Sequence, residues 1–387
     1  MANGKSIDGF AAEKLDALAR QSLRRSLVHT ARGEDAAAAR GGKPLISFCC
    51  NDYLGLSQHP RVKQAAAEAL AAFGAGAGAS RLVTGNHPLY RNLEQALARI
   101  KRTEAATVFG SGYLANLGII PVFAGPNDLY LADALCHSSM HAGMRASRAA
   151  IKLFRHNDLE DCRKILAAER GNYEKCLILT EGVFSMDGDR APVAGLCDLA
   201  DEFDGWLFVD DAHGFGVLGD GRGSAAEAGV IERVPLQMGT LSKAVGSYGG
   251  FLCASQPVCD LMVNRARSLI YETGLPPASV AASVAALDLI ENDAALVARP
   301  LEIASRFTTE LGLPPAESAI VPLVLGAPDA ALDASARLEE AGFLVTAIRP
   351  PTVPEGTARL RFTFCANHLD EDIGRLIETV RGLGLAG

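Results

Sequence analysis

Asp210 and Lys243 are ionisable side chains that each follow a short apolar run, and together they could serve a carbonyl cofactor. An amine is a useful covalent catalyst only if it can form a Schiff base, which burial or a neighbouring cation permits by lowering its pKa. A pyridine-type electron sink works only if a carboxylate keeps its ring nitrogen protonated. We therefore predict Lys243 as the amine and Asp210 as the carboxylate. His213, three residues after Asp210, could reach the same ring from its other side.

Buried strands are needed to position these side chains. The uninterrupted apolar run Trp206–Val209, bounded by Gly205, is typical of a strand covered on both faces of a parallel sheet. Asp210 then lies at the carboxyl end of that strand, where open α/β sheets bind ligands. Lys243 follows a second short run and precedes a glycine-rich turn. The competing interpretation, a loop-capping aspartate and a solvated lysine, is disfavoured by the ordered motifs Asp-Asp-Ala-His, Thr-Leu-Ser-Lys and Gly-Gly-Phe.

The motifs Val-Asp-Asp-Ala-His-Gly (209–214) and Thr-Leu-Ser-Lys (240–243) resemble those of the α-oxoamine synthases, which are pyridoxal-phosphate (PLP) enzymes of the aspartate-aminotransferase fold. The resemblance runs from about residue 45 to the C-terminus. The string Ile-Arg-Pro-Pro-Thr-Val-Pro (348–354) is similar to the subgroup that condenses L-alanine with pimeloyl-CoA or a pimeloyl-carrier protein in biotin biosynthesis. Phe215 stands where relatives often have Thr, and Ser242 where they often have Gly, so the resemblance determines the cofactor more firmly than the acyl pocket.

Three other functions remain open at this stage. Another α-oxoamine synthase would combine glycine or serine with an acyl-CoA, as 2-amino-3-ketobutyrate ligase, 5-aminolevulinate synthase and serine palmitoyltransferase do. An aminotransferase or lyase of the same fold would share the lysine and the aspartate. A catalytically silent binding scaffold is disfavoured because the whole set of motifs is retained.

A strand, a glycine turn and a helix start follow one another over residues 107–116. Backbone N–H groups at such a turn can point at a phosphate, and the helix dipole favours its charge. An ordinary strand-to-helix turn is the alternative. The resemblance implies PLP contacts at Gly112, Tyr113, His137, Ser185, Asp210, His213, Thr240, Lys243 and Thr273.

Within this set, the resemblance implies that the catalytic residues are His137, Asp210, His213 and Lys243. It also implies that His137 stacks on the PLP ring, and that Ser185 bonds its phenolic oxygen beside His213. Thr273 is expected to reach the phosphate bound by the neighbouring subunit. The family match therefore predicts a homodimer with shared active sites.

The resemblance implies that the substrate contacts are Arg24, Asn51, His137, Arg349 and Thr352. Arg349 is followed by two prolines and could clamp the amino-acid carboxylate through paired hydrogen bonds. Arg24 is assigned to a distal carboxylate of the acyl substrate, although Arg25 is adjacent and either could make the contact. Arg359 and Arg361 alternate along a predicted strand, and we interpret them as structural.

The alternation of strands and helices predicts an α/β fold, and the resemblance makes it a PLP-dependent transferase of fold type I. We expect a mostly parallel central sheet flanked by helices. The predicted division is an N-terminal helix and linker over residues 1–48, a large PLP-binding domain over 49–277 and a small C-terminal α+β domain over 278–387. An amphipathic helix is predicted over residues 8–30.

Composition and residue patterns argue against several other classes of protein. A net charge of −8 argues against nucleic-acid binding. The nine cysteines contain no C-x-x-C pair, so we expect buried reduced thiols and neither a disulfide frame nor a metal site. The N-terminus lacks an apolar signal core, and no apolar run approaches the length of a membrane span. A cytoplasmic enzyme without membrane contact is expected.

Overall fold

A computed structural model describes residues 6–385 of the chain. Residues 1–5 lie outside the described residues. The expectation that the N-terminus lacks an apolar signal core rests partly on them. The strands are β1 (Ala31–Arg32), β2 (Ala37–Arg40), β3 (Lys43–Ser47), β4 (Ala105–Phe109), β5 (Leu129–Asp133), β6 (Ala150–Phe154), β7 (Cys176–Glu181), β8 (Trp206–Asp210), β9 (Leu236–Thr240), β10 (Gly250–Ala254), β11 (Ile320–Gly326), β12 (Phe343–Leu344), β13 (Thr346–Ile348) and β14 (Ala358–Thr363). The helices are α1 (Ile7–Arg20), α2 (Pro60–Phe73), α3 (Leu89–Ile100), α4 (Gly112–Ile119), α5 (Ser138–Arg145), α6 (Leu159–Glu169), α7 (Val193–Glu202), α8 (Ser224–Glu227), α9 (Gln256–Arg265), α10 (Arg267–Ile270), α11 (Pro277–Asn292), α12 (Ala294–Leu311), α13 (Pro328–Glu340) and α14 (Asp370–Gly382).

The central sheet has seven strands in the order β4-β10-β9-β8-β7-β5-β6. Strands β6, β5, β7, β8 and β9 pair in parallel, whereas β10 is antiparallel to both of its neighbours. Alternate residues of β7 enter different cores: Leu177 and Leu179 pack on one face, and Cys176 and Ile178 on the other. Helices therefore cover both faces, and the predicted fold class is confirmed.

Polar residues collect at the carboxyl edge of this sheet. β7 ends at Glu181, β8 at Asp210 and β9 at Thr240, and all three side chains are buried. Glu181 and Asp210 are register partners on neighbouring strands. Because parallel strands end at one edge, residues far apart in sequence meet there.

Two smaller sheets involve the C-terminal part of the chain. β11, β14 and β13 form an antiparallel sheet whose core includes residues of α12, α13 and α14. The second sheet has the order β1-β2-β3-β12, with β3 parallel to β12. The extended stretch from Phe343 to Ile348 is thus divided between the two sheets, because β12 pairs with β3 and β13 pairs with β14. The division into domains stays a prediction.

The N-terminal helix is shorter than predicted. α1 ends at Arg20, and Ser22 adopts a left-handed conformation with φ of 56°. The Ser22 carbonyl accepts a hydrogen bond from the Arg349 guanidinium. This tertiary contact takes the chain out of the helix, although the spacing of leucines continues beyond it. Across residues 6–385, no helix is long and apolar enough to span a bilayer, and no cluster of ligand-type side chains could hold a metal ion.

Candidate active site

Lys243 lies in the loop after β9, and its Nζ is 2.8 Å from Nε2 of His213. Burial lowers the pKa of Lys243 to about 8, an effect that the charges of Asp210 and Glu181 oppose. A substantial fraction of the amine is therefore neutral near pH 8, as a nucleophile or general base requires. Lys243 and His213, each predicted separately as a contact of the cofactor, thus lie side by side in the structure.

Asp210 is buried at the end of β8, where two donors hold its carboxylate. Its Oδ2 accepts from Asn116 Nδ2 at 2.7 Å, and its Oδ1 accepts from the Ala212 amide at 3.1 Å. Asn116 also donates to Ser139 Oγ at 2.9 Å. No role for Asn116 was predicted from the sequence. Its position one turn into the helix that follows the glycine turn could have indicated a place near the site.

Glu181 lies beside Asp210 and is also buried. Burial, followed by the charge of Asp210, raises the pKa of Glu181 well above its ordinary value. Glu181 is therefore far more readily protonated than an ordinary glutamate. Within residues 6–385, the buried Oε1 of Glu181 has no hydrogen-bond partner.

The glycine turn after β4 presents the N-terminus of α4 to the same edge. Ser111 caps the helix, with its Oγ accepting from the Leu114 amide at 3.2 Å. The amides of Gly112 and Tyr113 stand in the first helical turn, where the helix itself supplies no acceptor. A Cβ added at Gly112 would lie 3.4 Å from Thr240 Oγ1, so the threonine flanks the turn. This arrangement suits an anion such as a phosphate.

His137 is the N-cap residue of α5 and is exposed in the single chain. Its Nδ1 lies 2.7 Å from Ser139 Oγ, which in turn accepts from Asn116. The ring is thus tied to the network that holds Asp210. An exposed ring so anchored can offer a face for stacking.

The loop that carries Ser185 is held by two arginines of β14. Arg361 Nε donates to the Ser185 carbonyl at 2.5 Å, and Arg359 pairs with Asp187. Arg361 also donates to Asn51 Oδ1 at 3.2 Å. We interpreted both arginines from sequence as structural. Their burial, 4% and 6% exposed, is unusual for arginine, and the contact with Asn51 brings Arg361 to the site.

Arg349 lies elsewhere, in a cavity of about 680 Å³ between the segment after α1 and the elements α13, β12 and β13. Arg24, Arg25 and Thr352 line the same cavity. Arg25 Nη2 donates to Thr352 Oγ1 at 3.0 Å. The structure therefore places Arg25 against Thr352, while Arg24 lines the cavity beside it.

Thr273 is exposed and forms an isolated bridge with Ser80. The surface around it includes large apolar side chains, with Val83 74% and Tyr271 73% exposed. Glu272 accepts from the Gly110 amide at 2.9 Å, which joins this segment to the glycine turn. Thr273 thus stands at the surface and not in the cluster around Lys243.

Comparison with known proteins adds to this geometry. The family described as aminotransferase class I and II matches residues 43–380. An 8-amino-7-oxononanoate synthase from Methylocella silvestris is 61% identical over 89% of this chain and 98% of its own length. Another from Methylobacterium radiotolerans is 59% identical over 98% of both chains.

Solved structures show the same similarity. A serine palmitoyltransferase from Sphingomonas wittichii covers 100% of both chains with a TM-score of 0.90 and 31% identity. A variant of the enzyme from S. paucimobilis with bound PLP and myriocin also has a TM-score of 0.90, at 30% identity and with 100% of both chains covered. An 8-amino-7-oxononanoate synthase from Francisella tularensis has a TM-score of 0.74 and 27% identity, and the match covers 88% of this chain and 98% of that one.

Proposed function

Because the chain belongs to the aminotransferase class I and II family, within its group of 8-amino-7-oxononanoate synthases, we propose that it condenses L-alanine with a pimeloyl thioester. The products are 8-amino-7-oxononanoate, CO2 and the free thiol, CoA or a carrier protein, and the reaction belongs to biotin biosynthesis. The observation that carries the proposal is the buried Lys243 amine beside His213, at the edge where β8 ends in Asp210. The protein is a PLP-dependent acyltransferase.

The donor set of the site fits PLP. The first-turn amides of α4 and the flanking Thr240 suit the phosphate, and Asp210 suits a protonated ring nitrogen. The unpartnered buried Oε1 of Glu181 lies at the same edge, where a ligand atom could satisfy it. Charge and hydrogen-bonding capacity at Asp210, Thr240 and the first turn of α4 therefore support PLP as the cofactor, and the nine contacts inferred from the resemblance stay a proposal.

When bound, PLP supplies a pyridinium ring that takes up the electron pair released at the substrate α-carbon. Asp210 would hold the ring proton, because Asn116 and Ala212 fix the orientation of its carboxylate. Lys243 would be the covalent attachment point and, once released by the amino acid, would take the α-proton. A pKa of about 8 suits both duties, since the amine must be neutral to accept a proton.

The amino-acid carboxylate has two candidate clamps. Arg349 was assigned this role by resemblance, and that assignment stays a prediction. Arg361 is favoured by geometry, since it donates to Asn51 and its charge contributes to lowering the pKa of Lys243. We propose Arg361 with Asn51 as the clamp.

The cavity lined by Arg25, Arg349 and Thr352 is proposed to take the distal carboxylate of the pimeloyl chain. A dicarboxylic acyl group carries a negative charge at its far end, and guanidinium groups pair with carboxylates through short charged hydrogen bonds. The contact between Arg25 and Thr352 supports Arg25 over Arg24 for this role.

We propose a cytoplasmic homodimer. The exposed apolar side chains near Thr273 support a partner surface, since a large apolar patch is uncommon on a monomer. Thr273 would then contact the phosphate bound by the partner subunit.

The test is an assay of the purified protein with PLP and pimeloyl-CoA, supplied in parallel with L-alanine, glycine or L-serine. We expect thiol release and a product of the mass of 8-amino-7-oxononanoate with L-alanine. Faster condensation with glycine or L-serine would assign the chain to another α-oxoamine synthase reaction. Amino transfer to a 2-oxo acid without thiol release would instead identify an aminotransferase.

A further inference from the structure

The hydroxyl of Tyr53 is fully buried among three side chains of the site. Its oxygen lies 2.6 Å from His213 Nδ1, 3.3 Å from Asn51 Oδ1 and 3.5 Å from Arg361 Nη2. A phenol has a single proton to donate, whereas its oxygen can also accept. Neighbours that accept therefore compete for one proton, and the outcome sets the state of the His213 ring.

Arg361 can only donate, so the Tyr53 proton goes either to Asn51 or to His213. Asn51 Oδ1 already accepts from Arg361 at 3.2 Å and lies farther from the hydroxyl. The distance of 2.6 Å to His213 Nδ1 is typical of an O–H donor and shorter than N–H···O bonds usually are. Burial raises the pKa of Tyr53 to about 12, so the proton is retained. Tyr53 therefore donates to Nδ1.

The His213 ring is neutral in this environment. Burial lowers its pKa well below the ordinary value, and the charges of Lys243 and Arg361 lower it further. A neutral imidazole carries a proton on one nitrogen only. Since Nδ1 accepts from Tyr53, the proton resides on Nε2.

We propose that Tyr53 is a positioning residue that locks His213 as the Nε2–H tautomer, so that the ring donates a hydrogen bond into the cofactor site. Nε2 lies 2.8 Å from Lys243 Nζ, which accepts this bond when the amine is neutral, above its pKa of about 8. The inference rests on the proposed function only for the identity of the group that the ring meets, the phenolic oxygen of PLP. The opposite tautomer would present a lone pair to that oxygen and repel it.

Tyr53→Phe removes the hydroxyl and keeps the ring. The matched control is Tyr130→Phe, because Tyr130 is equally buried and its hydroxyl donates to the Ile120 carbonyl at 2.9 Å. We expect Tyr53→Phe to bind PLP about ten-fold more weakly, the upper end of the loss that follows the removal of one uncharged hydrogen bond. Tyr130→Phe should retain wild-type affinity.

The tautomer can be measured directly by solid-state 15N NMR of the full chain labelled at histidine, with and without PLP, at pH 9, where the Lys243 amine is neutral. His213→Asn identifies the resonances of the ring. We expect a protonated Nε2 in wild type and in Tyr130→Phe, and a mixture of tautomers in Tyr53→Phe.

A protonated Nδ1 in the wild-type protein would overturn the proposal, whether or not Tyr53→Phe folds. Unchanged tautomer and unchanged PLP affinity in a folded Tyr53→Phe protein would overturn it as well. Neither measurement uses an amino acid or a thioester. Failure of the condensation assay is therefore distinguishable from failure of this inference.

Discussion

Arg361 on β14 donates to the backbone carbonyl of Ser185 at 2.5 Å, across 176 positions of sequence. The bond ties the C-terminal antiparallel sheet to the loop that follows β7. Because Arg361 also contacts Asn51, one buried guanidinium joins three separate segments at the edge of the central sheet. This position makes Arg361 the main alternative to Arg349 as the residue that binds the amino-acid carboxylate.

Arg361→Lys and Arg349→Lys separate the two assignments. We expect Arg361→Lys to raise the dissociation constant of L-alanine by about one to two decades, because charged hydrogen bonds contribute roughly 1.5–3 kcal/mol. Arg349→Lys should leave L-alanine binding near wild type and raise the KM of the pimeloyl thioester. Spectral titration of the PLP-loaded proteins with L-alanine measures the first effect. The reverse pattern would restore Arg349 as the clamp.

Lys243→Ala should abolish covalent attachment of PLP, because the structure places this amine beside His213 in the site. Turnover should fall by at least about 10²–10⁴-fold, the usual contribution of an acid–base residue. Borohydride reduction followed by mass spectrometry of the intact protein reports the attachment. Lys164→Ala, at an exposed lysine of α6, is the control and should retain both properties. Attachment that persists in Lys243→Ala would place the reactive amine elsewhere.

His156 bridges two carboxylates, those of Asp133 and Asp189. Its Nδ1 lies 3.0 Å from Asp133 and its Nε2 2.7 Å from Asp189, while its ring packs edge-on against Phe184. Burial alone would lower the pKa of His156, but the two aspartates raise it to about 10. The charged ring thus anchors the loop that follows β7 through Phe184 and Asp189.

A raised folded-state pKa means that the stability from His156 is fully present below the unfolded pKa near 6.5 and is lost as pH rises through about 10. His156→Gln should cost about 1.5–3 kcal/mol of unfolding free energy at pH 6. The difference from wild type should shrink towards pH 10. Urea unfolding at pH 6, 8 and 10 measures it, and a difference independent of pH would show that the ring is not charged.

The contribution of His368 to the free energy of unfolding should depend on pH in the opposite direction. Its Nδ1 accepts from the Cys365 amide at 2.9 Å, and its ring stacks on Phe48 with centroids 4.1 Å apart. Burial lowers the pKa of His368 to about 4. Protonation would break the bond to the amide, so the folded state favours the neutral ring.

As pH falls, the histidine of the unfolded chain binds a proton near pH 6.5, whereas His368 in the folded protein binds one only near pH 4. This contribution to stability is therefore lost as pH falls from about 6.5 to 4. The loss amounts to about 3 kcal/mol at most. His368→Gln cannot be protonated, so its unfolding free energy should fall less steeply over this range. Equal slopes for wild type and His368→Gln in urea unfolding between pH 7 and 4.5 would contradict the prediction.

The amino-acid sequence alone determined the central sheet and the side chains at its carboxyl edge. Apolar runs such as Trp206–Val209 indicate buried parallel strands, and the motif around Lys243 carries its residue types at adjacent positions. These signals are local, because the polar residue follows directly on the strand that positions it. The strand that ends at Asp210, and the place of Lys243 in the loop after the next strand, could therefore be predicted.

Only the tertiary structure decided which distant segments complete the site. Tyr53 meets His213 across 160 positions and Arg361 across 308, and neither contact leaves a periodic or compositional mark in the sequence. The same holds for the strand divided at residue 345 and for Arg25 against Thr352. Hydrogen-bond partners of buried polar groups are chosen by three-dimensional packing, since each such group must be paired by whatever the fold brings within reach.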